Sequence, residues 1–161
     1  MKTIRMLAAA AALTLSFAAA DAARAATVLH DTQGNVVVDA APGETNNMSV
    51  QPGSDGTVVL LDSGGAPLQA WDDGCAQVME SMVECGISGY VELWLDDGND
   101  RATVDLFLPT DRVVLMHGEA GDDQLNGAPG VTGLDGGPGN DKLTGGEGRD
   151  TIYGGDVNDE L

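Results

Sequence analysis

Asp123, Asp141 and Asp159 fall eighteen residues apart, and Asp150 lies midway between the last two. The residues around them repeat as well. Set in nines from Gly118, the sequence reads GEAGDDQLN, GAPGVTGLD, GGPGNDKLT, GGEGRDTIY and GGDVNDEL. Glycine holds the first position of every unit (Gly118, Gly127, Gly136, Gly145, Gly154). It also holds the fourth position of all but the last (Gly121, Gly130, Gly139, Gly148), where Val157 stands instead. The sixth position is aspartate except at Thr132, and the eighth is aliphatic throughout: Leu125, Leu134, Leu143, Ile152 and Leu161. Glycines at the first, second (Gly137, Gly146, Gly155) and fourth positions let a turn aim its carbonyl oxygens at one point, and the aspartate adds a carboxylate. Such a turn suits a hard cation taking six to eight oxygens, which means Ca2+ rather than Mg2+ or zinc.

Nine residues bury nothing alone, so neighbouring units must stack and build their core jointly. The lone aliphatic at the eighth position is each unit's inward residue, on a short strand over positions seven to nine. One such side chain contributes about 1.5 to 3 kcal/mol. Fixing the backbone costs about 1 to 2 kcal/mol per residue, so burial alone does not hold the stack and the turns must supply the rest. Composition alone would also suit a disordered Gly/Asp-rich linker. The register of the first, fourth, sixth and eighth positions argues against that.

This pattern, GGxGxDxUx with U aliphatic, resembles the RTX or haemolysin-type calcium-binding nonapeptide. The resemblance implies an all-β fold: a right-handed parallel β-roll or β-solenoid in residues 118–161, with two units per turn, Ca2+ between loops on the same side, and irregular strands upstream. LDDGNDRAT at 95–103 resembles a decayed unit, with Gly98 and Asp100 in place. Taken whole, the chain resembles secreted bacterial calcium-binding proteins with these repeats. The resemblance makes Gly118, Gly121, Asp123, Gly136, Gly137, Gly139, Asp141, Gly145, Gly146, Gly148, Asp150, Gly154, Gly155 and Asp159 the metal-site residues. If units alternate sides, Asp123, Asp141 and Asp159 share one side and hold two ions, while Thr132 compromises the other, where Asp150 lies. Two to three ions are expected in all. Val157 weakens the last turn, because a β-branched residue resists positive φ.

The rest of the chain is consistent with an exported cation binder. A net charge of −19 repels nucleic-acid phosphates and anionic lipid. Lys2 and Arg5 precede an apolar run from Met6 to Ala20 and small residues offering Ala-x-Ala cleavage, the pattern of a secretory signal peptide over 1–25. Its removal leaves 4 basic and 25 acidic side chains, with no further segment apolar enough for stable membrane insertion. The expected location is secreted or extracellular, with the periplasm or cell surface as variants. In that compartment Cys75 and Cys85 pair most simply as a disulfide worth about 3 kcal/mol; two free buried thiols are the alternative.

Residues 26–117 read as short strands broken by Gly, Pro, Asn and Asp: Val36–Val38, Thr57–Leu61, Tyr90–Leu95, Ala102–Leu108 and Arg112–Met116. The segment 76–85 reads as a loop or a strand. A continuous right-handed solenoid with irregular N-terminal turns is the expectation for this region, and a closed sandwich would refute it. There is no HExxH or GxSxG, adjacent carboxylates such as Asp72/Asp73, Asp96/Asp97 and Asp122/Asp123 point apart, and His30 and His117 stand alone in strand-like contexts, so no enzyme is expected. Trp71 and Trp94 read as core residues. The sequence thus describes a Ca2+-binding structural or surface-interaction module. The alternative is a piece of a longer toxin, protease or adhesin with its activity beyond Leu161.

Overall fold

A computed structural model describes residues 25–64, 67–105, 109 and 111–161. The signal-peptide reading falls almost wholly outside the described residues, as does the end of the run Ala102–Leu108. The described residues are nearly all β, with one 3-10 turn among them at Ser54–Gly56. The strands are β1 (Ala26–His30), β2 (Val36–Asp39), β3 (Asn47–Pro52), β4 (Thr57–Asp62), β5 (Leu68–Ala70), β6 (Cys75–Met79) and β7 (Met82–Gly86). They continue as β8 (Val91–Trp94), β9 (Arg101–Val104), β10 (Val113–His117), β11 (Gln124–Asn126), β12 (Gly130–Pro138), β13 (Lys142–Thr144) and β14 (Gly148–Asp156).

They form two open seven-stranded sheets, ordered β14-β12-β10-β8-β2-β1-β5 and β13-β11-β9-β3-β4-β7-β6. From β8 onward successive strands alternate between the sheets, and from β10 each pairs in parallel with the strand two places earlier. Leu93, Met116, Leu134 and Ile152 line up across one sheet, and Ala102, Leu125 and Leu143 across the other. The step from Leu125 to Leu143 is the eighteen residues of two nonapeptides, whereas the step from Ala102 to Leu125 takes five more. The parallel ladders reach back to β2 and β3 through the pairs β2–β8 and β3–β9. Between β3 and β8 the chain makes a detour: β4, β7 and β6 extend one sheet by antiparallel pairing, with the Cys75–Cys85 disulfide tying β6 to β7. The segment 76–85 is therefore a hairpin. Antiparallel pairing also joins β1 to β2, so the first turns of 26–117 depart from the parallel coil. Neither sheet closes.

Inward side chains of both sheets make one apolar cluster, including Val36, Val38, Val91, Leu93, Val114, Met116, Leu125, Leu134 and Leu143. The eighth-position residues belong to it through Leu143; Ile152 packs against it and Leu161 is 72% exposed. The repeat pattern points Leu161 inward, but among the described residues no strand follows β14 to cover it. Two other expectations are corrected. The repeat strands β12 and β14 run well beyond positions seven to nine, because parallel neighbours pair through the turns as well. Trp71 is 47% exposed, and Trp94 is only half-buried, stacked on His117 with ring centroids 3.8 Å apart. Neither lies in the core.

Candidate metal centre

The sixth position of each coil on one side forms a column: Asn46, Asp100, Asp123, Asp141 and Asp159. Each carboxylate is tied to the coil before it through one oxygen. The backbone N–H of Asn46 donates to Asp100 Oδ1 at 2.6 Å and that of Asp100 to Asp123 Oδ1 at 2.7 Å. The next two links follow, Asp123 N–H to Asp141 Oδ1 at 2.8 Å and Asp141 N–H to Asp159 Oδ1 at 3.0 Å. Parallel stacking brings each inward side chain onto its counterpart's backbone, over 54 and 23 residues in the first two links and over 18 in the last two.

The second oxygen is left over. Asp100, Asp123 and Asp141 are each 2% exposed, and their Oδ2 atoms are buried without a hydrogen-bond partner among the described residues. Those of Asp123 and Asp141 point into a space that only glycine leaves open. A Cβ at Gly118 would collide with Asp123 Oδ2 and come within 2.6 Å of the Gly136 carbonyl oxygen; a Cβ at Gly136 would meet Asp141 Oδ2 and, at 2.5 Å, the Gly154 carbonyl. Gly154 stands in the same way over Asp159 Oδ2. An unpartnered carboxylate oxygen and a carbonyl oxygen thus line one small space, two acceptors without a donor.

The other glycine positions shape the turn. The second position takes positive φ in every coil of this column from Asp100 onward: Asp96 at 74°, Glu119 at 69°, Gly137 at 97° and Gly155 at 108°. At Gly121 and Gly139 the fourth position has no room for a side chain, since a Cβ at Gly139 would overlap the Gly121 carbonyl and one at Gly121 the Gly98 carbonyl. Val157 is forced to φ 97°, a conformation that a β-branched residue resists. Asp96 and Gly98 share this backbone pattern, so 95–103 is a coil of the same kind. The fifth position adds a ladder: Asp122 N–H donates to Asn99 Oδ1 at 3.0 Å, and Asn140 donates to Asp122 Oδ1 through N–H at 2.8 Å and Nδ2 at 3.0 Å. These Asn140 donors hold the Asp122 carboxyl below the usual range.

On the opposite side the sixth position is Val36, Val91 and Val114, then Thr132 and Asp150. Thr132 N–H donates to Asp150 Oδ1 at 3.1 Å, so the link survives. The side chain at Thr132 puts a methyl and a hydroxyl, each 2.9 Å from a Cβ at Gly127, where its counterpart Gly145 faces Asp150 Oδ2.

Burial pushes the Asp123 carboxyl up to about 7, with the charges of Asp100, Asp141 and Asp122 adding to it. Burial likewise raises Asp141 and Asp100. Stacked acids without counter-charge resist ionisation, and a bound cation would remove that resistance. No group of three His, Cys, Asp or Glu side chains among the described residues could hold a metal. A cation here would draw on one or two carboxylates and on turn carbonyls, a donor set of oxygens that fits Ca2+.

No curated protein and no solved structure gives a match to this chain. Residues 115–131 and 134–161 do match the RTX calcium-binding nonapeptide repeat, in four copies, and the two residues between the matched segments include Thr132. RTX nonapeptide repeats bind Ca2+. The C-terminal part of the chain, 115–161, is therefore a run of RTX calcium-binding repeats.

Proposed function

We propose that the chain is a secreted Ca2+-binding protein whose repeats complete a parallel β-roll when the ion binds, and that it serves as a structural or surface-interaction module. The observation that carries this reading is the buried, unpartnered Oδ2 of Asp123 and Asp141, each facing a glycine cradle lined by a carbonyl of the next coil. Asp123, Asp141 and Asp159 supply carboxylates on one side, with carbonyls from the turns of Gly118, Gly121, Gly136, Gly137, Gly139, Gly154 and Gly155. Asp150 and the turn of Gly145, Gly146 and Gly148 supply a weaker counterpart on the other. The eighteen-residue parallel steps of β10–β12–β14 and β11–β13 support a roll.

The mechanism is charge compensation. A chain of net charge −19 that stacks aspartates repels itself until a cation neutralises the column. The ion-free repeats are then only marginally folded and Ca2+ completes the fold, so binding and folding are coupled. Extracellular calcium modules bind at about 10⁻⁴ to 10⁻³ M, so the repeats would complete their fold after export. The basic and apolar opening of the sequence supports that route. Isothermal calorimetry of the full chain tests the reading: the repeats should take up two to three Ca2+ with coupled heat of folding, and Mg2+ at equal concentration should not bind. Equal response to both ions would sink it.

A further inference from the structure

At the far end of the aspartate column, outside the matched repeats, Asn46, Asp62 and Asp100 come together. Their exposures are 1%, 1% and 2%. The antiparallel pairing of β3 with β4 places Asp62 opposite Met48. The chain beyond Asp62 folds back on 45–47, so tightly that a Cβ at Gly64 would collide with the Thr45 carbonyl. Asp62 Oδ1 accepts the N–H groups of Asn47 at 2.9 Å and Gly64 at 2.7 Å. From the neighbouring coil, Asp100 Oδ1 accepts the Asn46 N–H at 2.6 Å and Asn46 Nδ2 at 3.3 Å, and Nδ2 also donates to the Leu95 carbonyl at 3.2 Å.

Every donor in this arrangement is used, and three acceptors remain. Asn46 Oδ1, Asp62 Oδ2 and Asp100 Oδ2 are buried without a hydrogen-bond partner among the described residues. The Asp62 charge is one of those that hold the Asp100 carboxyl above its usual range, after burial itself, so the two groups feel each other. One water molecule donates two hydrogens, which leaves the third oxygen unserved and both charges uncompensated. A hard divalent cation serves all three and cancels the charge.

We propose that Asn46, Asp62 and Asp100 form a cation site of Ca2+ type, built by the β3–β4 hairpin and the turn before β9 rather than by two nonapeptides. Two of its three ligands belong to segments without the repeat pattern. The site closes the aspartate column at the end where the parallel coils give way to the antiparallel detour. It uses no residue of 118–161 and stands whether or not the repeats bind as proposed above.

The test counts Ca2+ bound to the full chain by native mass spectrometry, in the wild type, Asp62→Asn and Asp141→Asn. Asparagine at 62 keeps the oxygen that accepts from Asn47 and Gly64 while removing the charge. The expected result is one ion fewer for Asp62→Asn, with the ions lost through Asp141→Asn unaffected by it. An unchanged count in Asp62→Asn, with ions lost in Asp141→Asn, overturns this site and leaves the repeat sites standing; the reverse pattern does the opposite. Should Asp62→Asn fail to fold, Asn46→Asp decides. With a cation in the site, the added carboxylate enlarges the rise in melting temperature between chelator and saturating Ca2+. If the melting temperature instead falls equally in both conditions, no cation is held there.

Discussion

At the scale of single residues, each aspartate of the column divides its work between two oxygens, and two substitutions at Asp141 separate them. Asp141→Asn keeps an acceptor for the Asp123 N–H and removes the charge. It should leave the calcium-free fold intact and weaken Ca2+ binding at least tenfold, read by calorimetry. Asp141→Ala also strands that buried N–H, which costs about 1 to 3 kcal/mol, so chemical denaturation should show a loss even in chelator. Asp123 adds a pH signature. Its carboxyl is raised to about 7 from 3.8, so between those values the calcium-free folded chain holds a proton that the unfolded chain has released. That stabilisation is complete below about pH 3.8 and is lost as the pH rises through about 7. Thermal melts in chelator should therefore give a higher midpoint at pH 5 than at pH 8, and Asp123→Asn should flatten the difference.

At the scale of the coil, backbone conformation limits stability at one place and side-chain chemistry limits binding at another. Val157 holds φ 97° where the equivalent residues upstream are glycine. Such strain costs about 1 to 3 kcal/mol, and Val157→Gly should raise the melting temperature of the calcium-loaded chain. Thr132→Asp restores a carboxylate opposite Asp150, and the Ca2+ count should rise by one in native mass spectrometry; an unchanged count would mean that this side cannot complete a site. Both positions were legible in the sequence, because a break in a strict register points to itself. The coil containing Asn46 was not. It has no glycine at its first, second or fourth position and an amide at its sixth, so only its stacking on 95–103 reveals the kinship. The valines at 36, 91 and 114 were legible as strand residues only, since an apolar sixth position packs in the core and carries no trace of a turn that binds.

For the whole molecule, two sheets share one apolar core while one edge of the stack carries a buried line of acids from Asp100 to Asp141, continued by half-buried Asp159. The short runs upstream, broken by Gly, Pro, Asn and Asp, announced strands. Their pairing was hidden, because such runs serve parallel and antiparallel neighbours alike; the hairpin of β6 and β7, between two cysteines, left no turn signature that decides between loop and strand. The account rests on that line of acids being neutralised by Ca2+. The most direct test is a far-UV circular dichroism titration of the full chain from chelator to about 10 mM Ca2+, a range that brackets extracellular affinities, with Mg2+ as control. The account predicts a gain of β signal with Ca2+ alone, with the midpoint displaced to higher Ca2+ in Asp141→Asn. A spectrum that is the same in chelator, Mg2+ and Ca2+ would contradict it.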